Sequence, residues 1–384
     1  MSLAVWNFPT KILFGEGAMD EVGREAKRLG GTHALLITDA GVAATGIVDA
    51  VGKALKQIEI SYSTFEGVST NPTEAQARKG TEAFVGAKSD IIIAVGGGSV
   101  IDVGKLVRLL AVHSGPLADY DDSKGGSDKI TETMAPLIAI PTTAGTGSEV
   151  GRSAVATLAA TNAKTVFFSP HLIPNVAILD PTLTTSLPAK ATAATGFDAL
   201  THNIEAYCAK GDHPMADGIA LAAIELITNY LETAVQEGDN LEARGAMQKA
   251  AMMGAVAFQK GLGACHALAN PLSAEYDIHH GTANAICLPA VLDFNRKVIP
   301  ARIARIARIL GARGESEETL AFECSGAIRK LRKSIGLPEG LKEAGVDESA
   351  IDRLAELAFA DSSHRANPRS CTADDLKALY QASL

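Results

Sequence analysis

Apolar residues in the first half of the chain fall in short unbroken runs, each closed by small or acidic residues. "THALLITD" (32–39) follows a helical stretch around MDEVGREAKRLG (19–30), and "IEISYSTFEG" (58–67) is a second strand pattern. "NPTEAQARKGTEAFVGAKSD" (71–90) has mixed charge at helical spacing behind an Asn-Pro start. "IIIAVGGGS" (91–99) is an almost purely apolar strand running into glycines. That is the pattern of a central parallel strand covered on both faces. "PLIAIPTTAGTGSEV" (136–150) and "NVAILDPTLTTSLP" (175–188) repeat the arrangement of strand and loop.

After Pro188 the period changes. Helical patterns occupy 189–207, 214–235, 241–260, 298–311, 316–334 and 346–360, with no clear strand after 190. The pattern predicts an α/β domain over 1–185, with a Rossmann-like parallel sheet, followed by an all-helical domain over 186–384. A chain of 384 residues also exceeds what one core usually organises.

Composition narrows the partners. The formal charge of -9 and a pI near 5.5 argue against nucleic acid or an anionic membrane as the main partner. The densest basic stretch, RKLRK at 329–333, reads as the exposed side of a helix. No secretory leader and no uninterrupted apolar segment of membrane-spanning length is seen. Five scattered cysteines without a CxxC fit a reducing compartment, so a cytoplasmic location is expected.

Two loops carry nucleotide chemistry. In "AVGGGSVIDVGK" (94–105), Gly96, Gly97 and Gly98 let a ligand approach the backbone where a helix begins, and free N–H groups there receive phosphate oxygens. A glycine-rich turn without ligand remains the alternative, because neither GxGxxG nor GxxxxGK[ST] is present. "PTTAGTGSEV" (141–150) adds the hydroxyls of Thr142, Thr143, Thr146 and Ser148 at the same sheet edge. Asp39, ending an early strand, suits either a ribose acceptor favouring NAD over NADP or a simple turn residue.

The histidines raise a different question. In "GFDALTHNIEAY" (196–207), Asp198 and His202 are four apart and share a helix face. Downstream, His266 is placed near the end of a helical stretch, with His279 and His280 in a turn before Gly281. An Asp–His pair plus one histidine from each later place is an N3O set suited to Fe(II) or Zn(II), with a position left for substrate oxygen. A satisfied core histidine and a surface acid are the plain alternatives.

Taken together, "PTKILFGEGAM" (9–19), "GGGSVIDVGK" (96–105), "PTTAGTGSEV" (141–150), "DALTHNIEAY" (198–207), "CHALANPLSAEYDIHHGTANAICLP" (265–289) and "NPR" (367–369) resemble the iron-containing, or group III, alcohol dehydrogenases. The resemblance spans nearly the whole chain. It implies the architecture shared with dehydroquinate synthase, and metal ligation by Asp198, His202, His266 and His280. It also implies a pyrophosphate turn at Gly96, Gly97, Gly98 and Ser99 with Asp102 close by. Thr142, Thr143, Ser148 and Val150 would line the cofactor, and Thr182, Leu183 and Leu187 would run along it.

The implied activity is NAD(H)-dependent, metal-requiring alcohol oxidation or aldehyde reduction by a homodimer, on a small alcohol, aldehyde or ketone. An extended N-terminal segment, "WNFPTKILFG", would pair across the dimer axis. Fe(II) is the expected ion, with Zn(II) as the alternative. One departure stands out: Asn270 occupies a position where many relatives carry a histidine proposed as a proton relay, and an amide is no base near neutral pH. His279 is a second relay candidate, or a packing residue. The rivals are a metal-independent reductase of a carboxylated keto substrate, for which Arg152 would suit, a dehydroquinate-synthase-like lyase, and a non-catalytic NAD-binding assembly protein.

Overall fold

The computed structural model describes residues 8, 10–161 and 163–384. These fall into two compact units: an α/β unit (8–143 and 147–186) and a helical unit (144–146 and 187–384). Of the N-terminal segment expected at a dimer axis, Trp6, Asn7 and Pro9 lie outside the described residues.

The α/β unit contains β1 (Lys11–Phe14), α1 (Val22–Arg28), β2 (His33–Ile37), α2 (Ala40–Ala43), α3 (Ile47–Lys56), β3 (Ser61–Phe65), α4 (Glu74–Gly86), β4 (Ile91–Gly96), α5 (Gly98–Leu110), β5 (Leu137–Pro141), β6 (Ser153–Thr157), β7 (Lys164–Phe168) and β8 (Val176–Leu179). Six strands form a parallel sheet in the order β1-β8-β5-β4-β2-β3. Alternate residues of its central strands enter two different cores. Leu36, Ile91, Ile93 and Ile138 pack with Val22 of α1 and with Val51 and Leu55 of α3. Leu35, Ile92, Ala94 and Leu137 pack with Phe84 of α4 and with Val103 and Val107 of α5. Both faces are therefore dry, which is why these strands read as continuous apolar runs rather than alternating ones.

The hairpin β6–β7 was not anticipated. Its strands pair antiparallel, burying Ala154, Ala156 and Phe167 over Leu106 and Leu109 of α5. Strand β6, Ser-Ala-Val-Ala-Thr, gives little periodic signal, and β7, Lys-Thr-Val-Phe-Phe, buries Phe167 but leaves Val166 exposed, so tertiary burial rather than an apolar run sets the pair.

The helical unit comprises α6 (Ala189–Cys208), α7 (Pro214–Gln236), α8 (Leu241–Ala257), α9 (Ala264–Tyr276), α10 (His280–Asn295), α11 (Pro300–Ile309), α12 (Glu317–Ser334), α13 (Ile351–Ala360) and α14 (Ala373–Gln381). No strand follows Leu179 among the described residues. Helix α6 is buried on nearly every side from Thr192 to Cys208, as befits the axis of a bundle. Helix α7 is long and apolar enough to cross a bilayer by length and composition. Its Ala220, Ala223, Ile224, Ile227 and Leu231 are buried in the helical core.

Candidate metal centre

Helix α6 places Asp198, His202 and Glu205 one turn apart along one buried face. Helix α9 brings in His266, and α10 begins with His280. The sequence reading set His266 near a helix end; it lies instead in the first turn of α9. His280 likewise opens α10 rather than sitting in a turn, with His279 as the cap residue.

One ligand atom each from Asp198, His202 and His266 lies within 4.8 Å of the other two. Asp198 Oδ2 and His202 Nδ1 stand 3.8 Å apart, and His280 Nε2 stands 3.7 Å from Asp198 Oδ1. Both separations are too long for hydrogen bonds. They are close to the roughly 3.4 Å expected between two atoms bound at ~2.1 Å to one tetrahedral ion. The His202 and His266 rings are stacked at 4.6 Å, and His266 lies 5.3 Å from the His280 ring. His202 Nδ1 and His266 Nε2 are buried and accept no hydrogen bond from the protein. Buried imidazole nitrogens without partners are costly, and a shared cation relieves both at once.

The surroundings prepare these groups as ligands. Glu205 Oε2 lies 2.6 Å from His266 Nδ1, and Glu205 Oε1 accepts from the Cys265 backbone N–H at 2.7 Å. A proton held at Nδ1 leaves the Nε2 lone pair facing the cluster. Asn284 Nδ2 donates to Asp198 Oδ1 at 2.9 Å, and the Gly145 backbone hydrogen-bonds the His202 ring. Burial pushes Asp198 upward, but the facing histidines, His202 foremost, hold it down to about 2. Burial pushes His202 down to about 4. Burial also opposes protonation of His266, yet its bond to Glu205 outweighs this and leaves it raised. At neutral pH the cluster therefore offers an anionic oxygen and a neutral His202, the forms that bind metal.

Two glycines permit this closeness. A Cβ at Gly263 would sit 2.6 Å from Glu205 Oε1, and one at Gly281 would collide with the Ala194 carbonyl.

Comparison with known proteins agrees with this geometry. The family model for iron-containing alcohol dehydrogenase matches residues 9–181, and the model for the C-terminal part of the same family matches 192–384. The chain belongs to the iron-containing alcohol dehydrogenase family. It is 40% identical to a 4-hydroxybutyrate dehydrogenase of Cupriavidus necator, over 98% of both chains. It is 37% identical to an NAD-dependent methanol dehydrogenase of Bacillus methanolicus, again over 98% of both. The crystal structure of a 1,3-propanediol oxidoreductase superposes with a TM-score of 0.96 at 38% identity, covering 99% of this chain and 100% of that one. As in this family, the chain carries a metal-binding Asp/His/His triad and NAD-linked oxidoreductase chemistry on a small alcohol or aldehyde.

The residues expected at the cofactor follow the carboxyl ends of parallel strands in the α/β unit. Gly96 ends β4, Gly97 caps α5, and Gly98 and Ser99 open that helix. The Thr142 N–H donates to the Gly96 carbonyl, joining the two loops, and a Cβ at Gly97 would touch Thr143. Asp102 accepts from Ser148 Oγ at 2.6 Å and from the Val155 N–H at 3.1 Å, while fully buried Lys105 donates to Ser148 Oγ at 2.7 Å. Val150 is buried at the end of the same turn. Asp39 caps α2 through the Val42 N–H and stays partly exposed, so one of its two readings, the turn residue, is already met. Thr182 is exposed but bonds Asp180, Leu183 is buried in the core beneath, and the Leu187 carbonyl accepts from Arg244 in the helical unit.

Lys105 and Asn284 were missed by the sequence reading. Both lie inside the motifs quoted for the resemblance, three residues after Asp102 and four after His280. His279 is exposed and accepts the Gly281 N–H at Nδ1. Asn270 is partly exposed and donates from Nδ2 to Asp361.

Proposed function

We propose that this protein is an NAD(H)-dependent alcohol dehydrogenase, or aldehyde reductase, that requires a divalent metal held by Asp198, His202, His266 and His280. The observation that carries the reading is the pair of buried, unpartnered imidazole nitrogens beside a carboxylate held ionised. Fe(II) is favoured by the family, while the donor set also accepts Zn(II). When bound, such an ion supplies Lewis-acid polarisation of a substrate oxygen, and NAD carries the hydride.

The chain's own residues divide the remaining work. Glu205 fixes the ring and tautomer of His266, and Asn284 fixes the rotamer of Asp198. The N–H groups opening α5 receive the pyrophosphate at Gly97, Gly98 and Ser99. Asp102 and Lys105 hold Ser148, and with it the 148–150 turn, against α5, so that Thr142, Thr143 and Val150 form a fixed wall. The free oxygen of Asp39 takes a ribose hydroxyl and disfavours a 2′-phosphate, selecting NAD. Asn270 supplies no base near neutral pH, so proton transfer would fall to water, to the hydroxyls of a bound cofactor or to His279.

The test is anaerobic reloading of metal-stripped protein with Fe(II) or Zn(II), followed by NADH oxidation with small aldehydes, ketones and keto acids. Turnover that needs metal and disappears in Asp198→Ala supports the reading. Full activity without metal, kept by Asp198→Ala, refutes it. Light scattering is expected to report a homodimer, because among the described residues β1 is an edge strand with a neighbour in this sheet, β8, on one side only.

One observation favours a carboxylated substrate as a second reading. Arg152 is half-buried over the Phe168 ring at 5.1 Å, burial lowers its pKa, and no ion pair to it is found among the described residues. A desolvated guanidinium seeks an anion. The relative named for 4-hydroxybutyrate fits that chemistry. Arg152→Leu should then raise KM for succinate semialdehyde but not for butanal; equal changes for both would dismiss the second reading.

A further inference from the structure

Helix α9 carries His266 as its third residue, so the placement of its first turn sets where that imidazole stands. A helix start leaves its first N–H groups without partners inside the helix. Gly263, at the cap of α9, has no side chain to offer them. The acceptors come from distant parts of the chain instead. Glu205 of α6 takes the Cys265 N–H at 2.7 Å and the His266 N–H at 3.3 Å, and Asn367 Oδ1 takes the Ala264 N–H at 3.2 Å across 103 positions. The two acceptors meet at Gly263, where a Cβ would stand 2.6 Å from Glu205 Oε1 and 2.9 Å from Asn367 Oδ1.

Asn367 is buried and opens the NPR motif at 367–369. Its amide can face only one way. Nδ2 donates to the Arg369 carbonyl at 2.6 Å and to Asn295 Oδ1 at 2.8 Å, so Oδ1 is the side turned to Ala264. Asn295, the last residue of α10, returns a bond from its own Nδ2 to Asn367 Oδ1 at 3.0 Å. The rest of the motif anchors this group. Pro368 favours the extended backbone that Asn367 adopts (φ −59°, ψ 137°), and the Arg369 guanidinium lies 3.7 Å from the centre of the Phe294 ring on α10.

We propose that Asn367 is a positioning residue for the metal centre: it fixes the first turn of α9, and through it the reach of His266 Nε2 toward Asp198 and His202. This rests on the metal-requiring reading above. Glu205 sets the tautomer of His266, whereas Asn367 sets where the backbone beneath that ring lies. Leucine at 367 keeps nearly the same volume but offers no acceptor. A buried N–H left without one is costly, so the turn shifts to recover a partner and carries His266 with it.

The test titrates metal-stripped, full-length protein with Co(II) and reads both affinity and visible absorption, which strengthens when protein ligands replace water in a site of low coordination number. Asn367→Leu should weaken Co(II) binding by about tenfold and lower the absorption of the bound ion, as an imidazole nitrogen gives way to water. Arg369→Leu is the control for a purely structural role. It removes the stacking on Phe294 and the ion pair to Asp375 but leaves the Asn367 oxygen on Ala264, so it should lower the unfolding midpoint while keeping Co(II) affinity within twofold and the spectrum unchanged. Should Asn367→Leu not fold, Asn367→Ser, whose hydroxyl is one bond too short for the Ala264 N–H, is read in its place with the same expectation.

Co(II) affinity and spectrum equal to wild type in the folded Asn367 variant overturn the proposal while the metal reading stands. An Arg369→Leu variant that loses Co(II) and its absorption as far as the Asn367 variant also overturns it, because general loosening of the segment would then suffice. Wild type that binds no Co(II) overturns the metal reading, and this proposal with it.

Discussion

Glu205 is the residue through which the fold acts most directly on the candidate metal site, and Glu205→Gln isolates that action. The side chain is 4% exposed, and its two oxygens serve three donors: the His266 ring at 2.6 Å, the His266 N–H at 3.3 Å and the Cys265 N–H at 2.7 Å. Glutamine keeps the volume but offers one oxygen, so its NH2 must face at least one N–H. If the oxygen stays with the backbone, His266 Nδ1 loses its acceptor. The tautomer with Nε2 free is then no longer favoured, and the ring loses basicity.

A charge-assisted bond of this kind is worth about 1.5–3 kcal/mol. Since ~1.4 kcal/mol is tenfold in affinity, metal binding should weaken by about 10- to 100-fold. The assay is competition between metal-stripped protein and a chromogenic chelator for Zn(II), with circular dichroism to confirm the fold. A separate loss of about 1–3 kcal/mol in the stability of the metal-free protein is expected from the orphaned donor. Affinity within twofold of wild type, in a folded variant, would refute the claim that Glu205 prepares His266 as a ligand.

Three further outcomes are expected. Gly281→Ala drives a Cβ into the Ala194 carbonyl next to Asp198, and should cost about 1–3 kcal/mol and reduce the metal retained after dialysis. Burial raises Glu149 from 4.5 to about 7, so its contribution is full below pH 4.5 and is lost as pH rises through 7. Urea unfolding should show this as a decline of roughly 3 kcal/mol across that window, flattened in Glu149→Gln; an identical decline in the variant would contradict the assignment. Asp102→Ala removes one of the two groups that hold Ser148 and the acceptor of the Val155 N–H, and should raise KM for NADH by about tenfold while leaving bound metal unchanged, as checked by kinetics and metal analysis.

The sequence alone determined what depends on neighbours along the chain. Apolar runs named the central strands, because each is buried on both faces and cannot afford polar positions. The DxxxH spacing put Asp198 and His202 on one face of one helix, and the glycines of 96–98 marked where a strand gives way to a helix. Helices α9 and α10 were harder to read. Pro271 and Pro289 stand inside them and glycines flank them, so local preference opposes helices that burial in the core stabilises.

Only the tertiary structure decided which groups meet. Glu205 reaches His266 across 61 positions, Asn284 reaches Asp198 across 86, and Asp361 reaches Asn270 across 91. Nothing in the spacing of those residues encodes the bonds. They exist because α6, α9, α10 and α13 pack side by side, and dense packing lets buried donors and acceptors find partners only from neighbouring helices. The residue types were legible in the sequence, but their partners were set by the packing.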